Sequence, residues 1–173
     1  MEYSIMLVGA TLVVFPALMV FAAFSDLFTM TISNRISIAL VLVFLLLAMA
    51  LHVPLSEVGQ HFLCGLCVLA LTFMFFAFRW IGGGDAKLAA ATALWLGFDH
   101  LWDYGIYAAL FGGALTVSIL MLRRWPLPRI LGTQDWIARL HDNDSGVPYG
   151  IALAIAGLLL YPETRIWISA ANF

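Results

Sequence analysis

Ile81-Gly82-Gly83-Gly84-Asp85-Ala86-Lys87-Leu88 sets three glycines and an acid directly against a long apolar run. A charge at the centre of a bilayer-spanning helix costs about 2.5–3.5 kcal/mol on the gentlest scale, so an acid in such sequence is a functional candidate whose partner should be sought. Three glycines strip the approach to that carboxylate of side chains and let another backbone come close. The octapeptide alone also fits a plainer role, ending one helix and starting the next. The rest of the chain separates the two.

Of the 173 residues, 64% are hydrophobic and 10% are charged, with a mean hydropathy of +1.01. Soluble domains carry about 25% charged residues. The composition predicts an all-α polytopic membrane protein, a single transmembrane domain over residues 1–173, lodged in the lipid bilayer. The length admits about six spans of about 20 residues. There is no basic tract that would bind nucleic acid. The only cysteines, Cys64 and Cys67, lie in an apolar run without the polar company that a redox pair or half a zinc site would need, so no metal and no cofactor is expected.

Six apolar runs can be marked, at roughly 5–25, 36–53, 58–78, 86–98, 104–122 and 147–168. The first is too long for a signal-peptide core, and Glu2 stands where a basic region would be, so it reads as a retained span. Pro16 inside it should kink it. The fourth run is short. It either recruits 82–85 into its first turn, or is tilted or partly re-entrant. Arg35, Arg79, Lys87, Arg123, Arg124, Arg129 and Arg139 all fall on one side of a six-span arrangement, and only Arg165 falls on the other. The positive-inside rule then places both termini outside and these loops in the cytoplasm. Trp80 and Trp125 fall at the cytoplasmic borders and Trp95, Trp102 and Trp167 near the outer ones, as in an aromatic belt.

The longest loop runs from 123 to 146. Pro126 and Pro128 forbid a regular helix before about Ile130, after which Leu131, Trp136, Ile137 and Leu140 have the spacing of a short interfacial helix. Asp142-Asn143-Asp144-Ser145-Gly146 reads as a solvated turn, and Pro148 suits the first turn of the last span.

Asp85 is placed at the cytoplasmic end of the fourth run. One other acid, Asp26, stands at the equivalent depth at the end of the first run. Two carboxylates about 3 Å apart cannot both ionise cheaply and so share a proton. One then acts as base on a water while the other donates to a scissile carbonyl. A different class of function, a small transporter using Asp26 and Asp85 as proton or cation ligands at broken helices, uses the same pair. Depth separates the two, since transport sites lie near the midplane and both acids are expected at the border.

Gly82-Gly83-Gly84-Asp85 matches the GxGD motif of aspartyl intramembrane-type proteases. With Ala86-Lys87-Leu88, Leu94-Trp95-Leu96-Gly97, Ser25-Asp26 and Ile32-Ser33-Asn34-Arg35 it resembles type IV prepilin peptidases, which keep eight residues between the first Asp and the Asn. Trp136–Leu140 and Val147-Pro148-Tyr149-Gly150 are similar to the small members that serve Flp-type (Tad) pili. The resemblance covers about residues 20–160. It implies a bacterial inner-membrane aspartic endopeptidase that removes prepilin leaders at the cytoplasmic face, alongside the pilus assembly machinery. Asp26 and Asp85 would be its catalytic pair. Gly82, Gly83 and Gly84 are supporting candidates for holding an extended substrate backbone, with Lys87 set for lipid or carboxylate and Asn34 for a helix cap. Ser33 replaces the family's usual Pro, and Phe28, Met30 and Thr31 replace basic residues. Larger members add a cytoplasmic methyltransferase domain with two CxxC pairs, so a peptidase without methyl transfer is expected here.

Overall fold

The computed structural model describes residues 2–128 and 131–171; Arg129 and Ile130 lie outside the described residues. The described chain is helical, with no strand: α1 (Glu2–Thr29), α2 (Asn34–Ala50), α3 (Leu55–Ala77), α4 (Gly83–Leu96), α5 (Leu101–Arg123), α6 (Asp135–His141), α7 (Gly150–Leu160) and α8 (Arg165–Ala171). By length and composition α3 and α5 are each able to cross a bilayer, while Asn34–Ala50 and Gly150–Glu163 are apolar but shorter. Large apolar side chains such as Leu66, Phe73, Leu110 and Leu122 face outward. Apolar surface of this extent suits lipid rather than water.

α4 is the hub. It packs against α2, α3, α5 and α7, and Ala86 and Leu88 through Leu96 are all buried. Its alanines allow this, because small residues let helix backbones approach closely within a membrane. At 14 residues it is about 21 Å long, well short of a bilayer core of about 30 Å. Gly65 of α3 lies so close that an added Cβ would stand 3.0 Å from the Cβ of Leu94. At one end of the bundle Trp95 is fully buried, tilted against Phe15 and edge-on to Phe44, with Nε1–H donating to the Leu40 carbonyl at 3.0 Å. Trp95 is therefore a core residue and not part of an aromatic belt, because its one polar atom is satisfied inside the protein. Trp80, Trp102 and Trp125 are exposed.

Three boundaries differ from the sequence reading. α1 continues through Pro16 to Thr29, and Met30 closes it in the left-handed region (φ 52°). The last apolar run is two helices. Tyr161–Glu163 tightens into a 3₁₀ turn at Pro162, which lacks the N–H that would continue the ladder. Thr164 then turns extended, and its Oγ1 accepts from Trp167 N–H at 3.3 Å, capping α8. The interfacial helix is only seven residues, preceded by a 3₁₀ turn at Leu131–Thr133.

The loop from α5 to α7 is pinned at one end of the bundle. Arg123 donates to the carbonyls of Leu140 (2.8 Å), Ser145 and Gly146 (3.0 Å each). Arg139 donates to the Phe28 carbonyl, and Trp136 meets the Phe28 ring edge-on at 5.3 Å. Asp142 to Ser145 form the expected turn, with Asp144 N–H donating to Asp142 Oδ1 at 3.1 Å. At the other end Arg165 pairs with Glu57 at 3.1 Å, and His61 Nδ1 lies 2.8 Å from the Leu94 carbonyl oxygen.

Candidate active site

Asp26 and Asp85 come from α1 and α4, helices that touch through side chains such as Phe15 against Trp95 and not backbone to backbone. The extended link between α1 and α2 and the start of α7 bring their carboxylates together. Met30 ends α1 one turn beyond Asp26, and Thr31–Ser33 run extended, which drives Ile32 inward. Ile32 then packs on two glycines. A Cβ on Gly84 would stand 3.1 Å from Ile32 Cβ, and one on Gly150 would stand 2.6 Å from Ile32 Cδ1. The missing side chains at Gly84 and Gly150 leave room for α4, α7 and this link to converge.

Asp26 is held by the N-terminus of one helix, and Asp85 sits in the first turn of another. Asp26 is buried, and its Oδ2 accepts from the Gly150 N–H at 2.7 Å, at the first residue of α7. Free N–H groups and the positive end of the helix dipole both favour an anion there. Asp85 is the third residue of α4, the position from which a side chain can reach the cap residue, and its Oδ2 lies close to Gly82. Its other oxygen, Oδ1, is shielded from solvent with no hydrogen-bond partner among the described residues. The two carboxylates are close enough to interact electrostatically. A buried carboxylate oxygen left without a donor beside a second acid is ready to bind water or a proton.

Two tyrosines complete the surroundings, and both were missed as site residues in the sequence. The Tyr149 ring lies where any side chain on Gly112 would be, and its hydroxyl donates to the Ala108 carbonyl at 3.0 Å. Tyr104 is buried, with its hydroxyl near Thr92, Tyr149 and Asp85 but without a well-formed hydrogen bond to a described residue. The Pro-Tyr-Gly segment was a signal for Tyr149 and Gly150. Ile32 stands in the Ile32–Arg35 segment without a sign of what it meets, and nothing in the sequence points to Tyr104.

The remaining candidates separate. Gly84 is filled by Ile32, and Gly83 lies against the Phe76 ring. Gly82 is exposed and extended (φ −71°, ψ 146°). Asn34 does not cap α2, because Ser33 does so through Oγ, which accepts from Arg35 N–H. Asn34 instead accepts from Lys87 Nζ at 2.8 Å. Lys87 therefore points away from Asp85.

The family model described as the type IV leader peptidase family matches residues 13–119. That span includes both aspartates and the glycine run but not Tyr149 or Gly150. No match was found among curated proteins or among solved structures.

Proposed function

Because the chain belongs to the type IV leader peptidase family, we propose that it is a membrane-embedded aspartic endopeptidase in which Asp26 and Asp85 share a proton and activate a water. The observation that carries this is the convergence of the two acids at one end of the bundle, where Ile32 packs against both Gly84, next to Asp85, and Gly150, which donates to Asp26. They are 59 residues apart in sequence; Asp26 accepts from the first N–H of α7, and Asp85 Oδ1 is buried without a hydrogen-bond partner among the described residues. One carboxylate removes a proton from water as its oxygen attacks the scissile carbonyl carbon. The other, protonated, donates to the carbonyl oxygen. Collapse of the tetrahedral intermediate passes a proton to the leaving amine and restores the shared-proton pair. Positioned acid–base pairs of this kind contribute about 10²–10⁴-fold.

A scissile peptide must be extended, since a helix hides its carbonyls in internal hydrogen bonds, and in apolar surroundings its freed groups need partners. Gly82, exposed and extended beside Asp85, offers backbone for such pairing in the manner of an added strand. The substrate is a Flp-type prepilin, cleaved at the cytoplasmic face of a bacterial inner membrane and handed to the pilus assembly machinery. The grouping of the arginine-rich loop and both acids at one end of the bundle supports that face. The family match favours hydrolysis over ion coupling at this pair.

Co-expression with a pilin precursor from the same genome tests the substrate. Loss of the leader, read as a mass decrease matching cleavage just before the hydrophobic segment, is expected. An unprocessed precursor in the presence of inserted protein would refute it.

A further inference from the structure

Asp85 and Lys87 are two residues apart on one helix, so they point about 200° apart around its axis. The side of α4 that bears Lys87 faces a separate groove of about 460 Å³ between α2, α3 and α4. Ile38, Leu42, Leu66, Leu69, Ala90 and Leu94 make its walls apolar. Three polar groups line it, all from one end. Lys87 and Asn34 stand exposed at the mouth, joined by their hydrogen bond. Ser37 lies one turn deeper on α2, and its Oγ is buried with no hydrogen-bond partner among the described residues. Asn34 takes one of the three ammonium donors of Lys87, and no carboxylate among the described residues pairs with it.

We infer that this groove is a binding site for one anionic phospholipid, with an acyl chain along the walls, the phosphate on Lys87 and an ester carbonyl accepting from Ser37. The spacing fits. Ser37 lies about 4.5 Å further along the helix axis than Asn34, below the phosphate level, and the stretch from Asn34 to Leu42 runs about 12 Å, most of one leaflet's hydrocarbon depth. The unpaired hydroxyl then gains an acceptor in a place where a polar group without one is costly. A substrate helix seated there would present its backbone at Lys87, with α4 between it and the carboxylates, so this groove does not lead a scissile bond to the acids.

Native mass spectrometry of the full chain tests this, with phosphatidylglycerol and phosphatidylcholine of identical acyl chains offered at equal concentration. One lysine at a membrane surface contributes about 1 kcal/mol toward an anionic lipid, or about fivefold. The wild type is expected to retain one phosphatidylglycerol with at least that preference. Lys87→Gln should bring the preference to about unity. Leu66→Trp, at an outward-facing wall residue whose replacement leaves the core untouched, should reduce retention of both lipids. Equal retention of the two lipids by the wild type would overturn the site, as would unchanged phosphatidylglycerol retention in both variants. A photo-crosslinker at position 66 that captured pilin precursor and no lipid would overturn the choice of occupant.

Discussion

At the scale of single residues the site depends on hydrogen atoms standing where side chains would collide. A methyl group on Gly150 would sit 2.8 Å from Asp26 Oδ2 and 2.6 Å from Ile32 Cδ1. Gly150→Ala should therefore displace the Asp26 carboxylate. A misplacement of about 1 Å can cost about 10²-fold in rate. Cleavage by this variant is expected to fall by about that factor with helix content by circular dichroism unchanged; near-normal turnover would show that Gly150 does not position Asp26. Gly84 behaves differently, because it is occupied by the Ile32 backbone and side chain. Gly84→Val should lower stability by about 1–3 kcal/mol through overpacking, seen as a lower melting temperature. Gly82→Val, at an exposed position where a Cβ would stand 2.9 Å from Asp85 Oδ2, should leave the melting temperature near that of the wild type and reduce cleavage by displacing that carboxylate. If the two variants melt alike, the division of roles between these glycines is wrong. Both aspartates and the glycine run were legible in the sequence because charge and glycine are conspicuous in apolar surroundings. Ile32 and Tyr104 were not, since an isoleucine or a tyrosine in a membrane protein gives no sign of which neighbour it meets.

At the scale of elements, apolar runs located the helices well, and their failures have common causes. The run at 147–168 hid a break, because hydropathy does not register that Pro162 withholds an N–H or that Thr164 can cap a new helix. Thr164→Ala should cost about 1 kcal/mol, as lost caps do, and fray α8 without altering cleavage. Amide exchange confined to α8 would report it, and loss of activity would indicate that α8 supports the site. Trp95 was placed at a membrane border on its position in the run, whereas Phe15, Phe44 and the Leu40 carbonyl bury it completely. Burial against partners distant in sequence is not encoded in local pattern. The short fourth run does begin with the glycines in its first turn, because Gly82, extended, stands at the cap position and the helix starts at Gly83.

At the scale of the whole molecule, α4 is surrounded by the other helices, and the two aspartates, the glycine run and the pinned loop gather at one end of the bundle. The charge split predicts that a single cysteine near Asn143 is labelled by an impermeant reagent only from the cytoplasm and one near Asp103 only from outside. The reverse pattern would put the acids on the wrong face for a prepilin leader. The central claim is that Asp26 and Asp85 act as one acid–base pair, and it is tested most directly by the cleavage rate of a prepilin by purified wild type, Asp26→Asn and Asp85→Asn. Asn keeps the shape and the hydrogen-bond acceptor but cannot take up the proton. Each variant should lose about 10²–10⁴-fold in kcat, and the double variant should be no worse than either alone, because removing one member already disables the pair. Substantial turnover by either single variant would contradict it.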